Sequence, residues 1–477
     1  MLRSIWLLFV YVSFLGLSVP APFVATLGYV WVDTFQPQLV AFVVLNELPV
    51  AMIMGIVAVG SYVLLDRRSP PPISIEAALL VSMVIWVSLT LIWAQAPDEA
   101  WIKWDVVSKT LAFAAFVPFV IRSRVQIEAF AQTYVLSLAA NFVPFGLKVL
   151  ISGGGYGRNL GLQAGNTGLS EGGLLSTSCL MAVPLAIFLA SHTRLVPKSK
   201  LVSLGYWTIA GLAVVTAVGT YERSALVGLV ILAAYMWIRS RHKVAFGAVV
   251  AAAACVMLYS ASTAWNSRIS TIGDPDMESS AYVRILVWKW TLGFVAEHPF
   301  GGGFQSYLIN HVDVPGSATQ AAHIEFGRAF HSIYFEVLGE HGYPGLAIFL
   351  ALAGLMFFRL RRVSRQARAY PELQWVADLS DALQSGMAVF LTAGAFVGIA
   401  FQPMFWYFIA LSISLSAYMS RVESQQDSVV PGWRRALVAG AGGSGAGTSG
   451  AGAAPGAVRK WREQPAPAAV SGGLPRP

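Results

Sequence analysis

Stretches of about twenty apolar residues recur along this chain, and their recurrence limits the fold more than any other feature. They run at 4–22, 38–65, 76–95, 104–121, 127–151, 171–191, 202–219, 224–239, 244–262, 333–358, 382–400 and 403–420. Each has the length that a helix needs to cross the hydrocarbon core of a bilayer. Helices satisfy their own backbone hydrogen bonds in lipid, whereas open strands do not, which argues against sheet. The expected class is therefore all-α: a polytopic membrane protein of about twelve transmembrane helices with one large, partly helical loop. Composition agrees, because charged residues are only 12% of the chain against about 25% in a soluble globular protein.

The charges between the runs alternate in sign. One set of connections carries Arg67 and Arg68, then Arg122 and Arg124, then Arg194, Lys198 and Lys200, then Arg239, Arg241 and Lys243, then Arg359, Arg361, Arg362, Arg365 and Arg368. The other set carries Asp98, Glu99, Asp105, Glu171, Asp274, Asp276 and Glu278. Cationic connections stay in the cytoplasm, so both termini are expected inside and the loop around 262–335 outside. The net charge of +8 is then a topology signal, and nucleic acid is excluded as a partner. The expected division is membrane helices 1–9 over 1–261, an outer catalytic loop over 262–335, membrane helices 10–12 over 336–421, and a disordered cytoplasmic tail over 422–477. The tail is rich in Gly, Ala, Ser and Pro, and cannot bury a core; its Arg459-Lys460-Trp461-Arg462 cluster could touch anionic lipid. The stretch Ile5–Val19 has no clear cleavage site and reads as a retained helix. Cys179 and Cys255 both lie in apolar runs and read as buried apolar residues.

The outer side holds most of the polar chemistry. Thr220-Tyr221-Glu222-Arg223-Ser224 is squeezed between two runs, which puts Glu222 and Arg223 at the membrane edge. An arginine there can present its planar fork to a phosphate; an ion pair marking the turn is the alternative. Ser280 to Trp290 reads as an interfacial amphipathic helix, and Arg284, Lys289 and the earlier Arg268 could join Arg223 around a diphosphate. His298-Pro299-Phe300-Gly301-Gly302-Gly303-Phe304 lets backbone approach a ligand closely or turn tightly at Gly302 and Gly303. It lacks the Lys-Ser/Thr ending of a nucleotide loop. His331, in Phe330-His331-Ser332-Ile333-Tyr334, precedes an apolar helix and could take a proton from a hydroxyl nucleophile. His298, His311, His323, His331 and His341 share this loop, but their spacing is irregular and no carboxylate stands as a further ligand, so no metal is expected.

Together these segments resemble the O-antigen ligase and polymerase family of bacterial envelope glycosyltransferases, and the ligases most. The resemblance rests on Tyr221-Glu222-Arg223-Ser224, on His298 to Phe304, and on His331-Ser332-Ile333-Tyr334 running to Gly339-Glu340-His341-Gly342-Tyr343-Pro344-Gly345, and covers about 200 to 360. Tyr29 to Pro37 is similar to the ligases less specifically. Ser332 stands where many relatives have Asn, and Glu222 precedes the arginine where Ser is commoner. The resemblance implies a GT-C-like enzyme of the bacterial inner membrane with a periplasmic active site. It implies transfer of glycan from undecaprenyl diphosphate to lipid A–core, with inversion and without cofactor or metal. Residue by residue, it places catalytic roles on His331, Arg223 and Arg284. Arg268, Tyr221, Glu222, Lys289, Gly302, Gly303 and Tyr334 are candidates for substrate binding. An O-antigen polymerase and a protein O-oligosaccharyltransferase remain alternatives. A lipid-linked-glycan transporter would need charged relays within its spans, and Glu47, Lys109 and Lys148 form none that is evident.

Overall fold

The computed structural model describes residues 2–41, 44–66, 68, 70–152, 169, 171–239, 243–244, 275–314 and 322–429. Nearly all of these belong to one unit, Met1–Glu423; a second unit is Ser424–Pro477. Helices dominate: α1 (Leu2–Leu17), α2 (Phe23–Phe35), the short α3 (Pro37–Val40), α4 (Val50–Leu65), α5 (Ile75–Leu89), α6 (Pro97–Val120), α7 (Arg124–Ser152), α8 (Gly172–His192), α9 (Lys200–Gly219), α10 (Arg223–Arg239), α11 (Pro275–Glu297), α12 (Ile333–Ala367), α13 (Gln374–Ala393) and α14 (Pro403–Val429). Five of the described helices are long and apolar enough to cross a membrane: 75–93, α7, α8, α9 and α12. The expected run at 244–262, Arg268 and most of the tail lie outside the described residues.

The helix ends follow from local chemistry. Ser74 accepts a hydrogen bond from the Ala77 amide and Ser199 from the Val202 amide, each satisfying an orphan donor at a helix start. Pro97 opens α6, where a missing N–H costs nothing. Around α8, which is buried almost throughout, pack α7, α9, α10 and α13. A helix apolar on all sides is a core element.

Two elements depart from the sequence reading. The segment 23–35, between the first two expected runs, is a buried helix too short to span on its own. A two-stranded antiparallel hairpin, β1 (His311–Val314) and β2 (His323–Phe326), stands in the polar loop, with His311 opposite Phe326 and Val314 opposite His323. The rule against open strands applies to backbone exposed to lipid, so it does not govern this loop. Asn310 ties the hairpin down by donating to Arg328 O at 2.6 Å and accepting from the Arg328 amide at 2.9 Å. Val287, Val312, Val314 and Phe330 form a small core beneath it, separate from the main one. Trp288 fastens α11 to that core, donating to Phe330 O at 2.8 Å and stacking on Phe335.

The cationic connections meet other segments in two groups. Arg68 reaches Gln126 and Val120 O, Arg421 donates to Arg122 O, and Arg239 and Arg368 share Asp381. The polar loop and the starts of α6, α8, α10 and α12 do not enter these contacts.

Candidate active site

The start of α12 organises the site. Glu336 and Glu340 are four residues apart, so they share one face of the helix. Both meet Lys103 of α6: its ammonium lies 2.9 Å from Glu336 Oε1 and 2.8 Å from Glu340 Oε1. Glu340 Oε1 also accepts the Gln305 amide at 2.9 Å, and Glu336 Oε2 accepts the Ala400 amide at 2.9 Å. The Glu340 side chain is fully buried and Lys103 is 19% exposed. Charges held this deep need partners, and this cluster supplies them from four separate segments.

Beside the cluster opens a cavity of about 430 Å³, lined among others by Asp33, Gln36, Lys103, Gln305, Tyr307, Phe330, Glu336, Glu340, Phe401 and Gln402. Asp33 is held by Thr110 at 3.0 Å and Tyr407 at 2.6 Å. Gln305 Oε1 is buried without a hydrogen-bond partner among the described residues.

His331 sits next to this cavity. It follows the lining residue Phe330, and its amide nitrogen lies 3.7 Å from where a β-carbon on Gly398, also in the lining, would be. Burial pushes its imidazole below the ordinary pKa; the positive charges of Arg284 and Arg328 push the same way, and Glu336 opposes them. Arg284 therefore stands near His331. It also acts on Glu171, whose carboxyl is raised chiefly by burial and then by Glu222 and Glu336, with Arg284 pulling it down. Glu222 packs against the start of α8, its Cγ 3.0 Å from a β-carbon built on Gly172. His331, Arg284, Glu222, Glu171 and Glu336 thus occupy one neighbourhood.

Backbone strain marks the same neighbourhood. Among the described residues, the non-glycine residues with positive φ are Gln36, Val44, Tyr221, Gln305 and His331. Four of them are cavity residues or residues singled out in the sequence. Such conformations cost on the order of 1–3 kcal/mol each and collect where geometry matters for function.

The remaining candidates fare differently. Arg223 is exposed at the first turn of α10, one residue from Glu222. Tyr221 is buried. Lys289 is exposed on α11 and makes none of the site's hydrogen bonds or ion pairs. Tyr334 donates its hydroxyl to Leu391 O at 2.7 Å, a bond that anchors α12 to α13.

The glycine run has a packing role. The Gly302 amide donates to Gly339 O at 3.0 Å, the Gly303 amide to Glu340 O at 2.8 Å, and Gly302 O accepts the Gln95 amide at 2.8 Å. Both glycines are buried, and a β-carbon at Gly303 would lie 2.6 Å from that of Ala94. The run therefore clamps α12 at Gly342, where the helix kinks at φ +65°. A β-carbon at Gly342 would lie 2.2 Å from Pro299 O. The left-handed conformation alone costs a non-glycine residue about 1–2 kcal/mol, and the clash adds to it. Gly342→Ala should lower the thermal unfolding midpoint in detergent far more than Gly354→Ala, where a β-carbon meets open space. Equal shifts for the two would remove the clamp.

Lys103, Glu171, Gln305 and Glu340 were not among the sequence candidates. The four-residue spacing of Glu336 and Glu340 directly after His331 was the signal that could have found them, since two carboxylates on an apolar helix face require a cation.

Residues 208–350 match the sequence model of a family described as O-antigen ligase. Residues 2–194 match a second model, described as a family of unknown function (DUF5935). No curated protein matches the chain. His331, Arg284, Arg223, Glu336 and Glu340 fall within the first match, and Lys103, Asp33 and Glu171 within the second.

Proposed function

We propose, from the match of residues 208–350 to the O-antigen ligase family, that the chain transfers a glycan from undecaprenyl diphosphate to a lipid A–core hydroxyl at the periplasmic face of the inner membrane. The observation that supports this reading is that His331 and Arg284, both within the matched segment, stand near one another. The diphosphate of the donor is already a good leaving group. The enzyme must hold it, offset the charge that gathers on it as the sugar departs, and remove a proton from the acceptor hydroxyl.

Arg284 and Arg223 take the first two tasks. A guanidinium stays charged at any working pH and meets phosphate oxygens in pairs. His331 takes the third. Its depressed basicity keeps the imidazole neutral near pH 7, so its ring can accept a proton. The acceptor oxygen then attacks the anomeric carbon as the bond to the diphosphate breaks, and the configuration inverts. The diphosphate leaves with the bonding electron pair, and the proton rests on His331.

The test is transfer in vitro. Purified protein is mixed with undecaprenyl-diphosphate-linked glycan and lipid A–core, and a shifted lipid A band is the expected product. Longer carrier-linked glycan with no shifted lipid A would replace this reading with polymerisation. Arg284→Ala should lower kcat by ~10²–10³-fold, the effect of removing one preorganised charge-stabilising donor. Arg223→Lys should also fail if the paired geometry matters, whereas normal transfer by both variants would end the diphosphate assignment.

A further inference from the structure

The cavity beside His331 has a charge character opposite to that of the arginine side. Among the described residues its charged lining consists of three carboxyl groups, Asp33, Glu336 and Glu340, against the single ammonium of Lys103, and no described arginine lines it. Lys103 is itself spent on the two glutamates. A diphosphate carries at least two negative charges and would find no surplus of positive charge there. A neutral, hydroxyl-rich group finds what it needs. Each sugar hydroxyl both donates and accepts, and the lining offers carboxylate oxygens, the amide of Gln402, and the Gln305 Oε1 that is buried without a partner among the described residues. Tyr307, Phe330 and Phe401 add apolar faces. At about 430 Å³ the space lies within the ~300–1,000 Å³ range of small-molecule sites.

We infer that this cavity is the acceptor subsite, taking a neutral saccharide unit and delivering its hydroxyl to His331, while the diphosphate stays on the arginine side. The inference rests on the proposed glycan transfer for its role and on the cavity's own chemistry for its ligand class. His331 then sits at the boundary between two subsites of opposite character. Gln305 is a specificity-determining residue, and its left-handed backbone fixes where its amide lies.

Two experiments on the full chain in lipid nanodiscs test it. The first varies donor and acceptor separately in the transfer assay. Gln305→Ala, and Val107→Phe to fill the cavity, should each raise the acceptor KM at least tenfold and leave the donor KM within twofold. A rise in donor KM instead, or an unchanged acceptor KM, overturns the subsite. The second needs no transfer and so separates this inference from the reading above. Ala329→Cys places a thiol in the cavity lining, and its modification by a maleimide is timed against the parent chain. A dephosphorylated outer-core oligosaccharide should slow modification at least fivefold, and inorganic pyrophosphate should not. Protection by pyrophosphate alone, or by neither probe, overturns it even if the wild type transfers glycan. Protection by the saccharide from a chain that forms no product sustains the subsite and sinks only the donor and acceptor named above.

Discussion

His331→Ala is expected to lower transfer by ~10²–10⁴-fold, the usual worth of a positioned base, with the protein present in the membrane at normal levels. Its backbone is held at φ 49°, and its side chain shares its surroundings with Arg284, Arg328 and Glu336. Removing it leaves the buried ion cluster intact, so the loss should fall on kcat and leave the thermal midpoint near that of the wild type. The pH profile offers an independent reading. Burial, then Arg284 and Arg328, disfavour the charged imidazole, so its folded pKa lies below the ordinary value near 6.5. The neutral, competent form is present above that depressed pKa and is lost as pH falls through it. The acid limb of kcat/KM should therefore have its midpoint below pH 6.5. A midpoint above that, or wild-type-like product from the alanine variant, would take the base role from His331.

The second large effect concerns stability. Lys103→Met should destabilise the protein by about 3–5 kcal/mol, as breaking a buried ion pair by removing one partner does. Glu340 is fully buried and keeps only the Gln305 amide of its strong partners, while Glu336 keeps the Ala400 amide. The double variant Lys103→Met with Glu340→Gln should recover part of the loss, because the stranded charge is then gone. Thermal unfolding in detergent measures both. A single variant as stable as the wild type would mean that the three charges do not depend on one another, and a double variant no better than the single one would mean that Glu340 is not what Lys103 neutralises.

The helices were legible because the bilayer imposes a length and a polarity on each, and α5, α7, α8, α9 and α12 carry both. The segment 23–35 was not, because a helix of thirteen residues packed inside others needs neither a full span length nor a polar face. The hairpin of β1 and β2 was missed for a related reason: a rule for lipid-exposed backbone was carried into a loop that it does not govern. At the site, His331 and Arg284 were singled out together by the family resemblance, and the structure places them near one another. The Lys103 cluster was not singled out, because a lysine in a charged connection ordinarily reads as solvated, and its carboxylate partners lie 233 and 237 residues further on. The glycine run drew notice for what its backbone could offer a ligand, yet its amides are occupied by Gly339 and Glu340 carbonyls.

The separation in that cluster bears on how the protein is made. Lys103 emerges from the ribosome 237 residues before Glu340. At ~5–20 residues per second, the interval is on the order of 10–50 s. Throughout it the lysine has neither of its carboxylates, and its stretch of α6 has no reason to settle at its final depth. The nascent amino-terminal half must wait, with a solvated ammonium, for the start of α12 to arrive. Any chain that stops before Glu336 leaves that ammonium without either of its carboxylates.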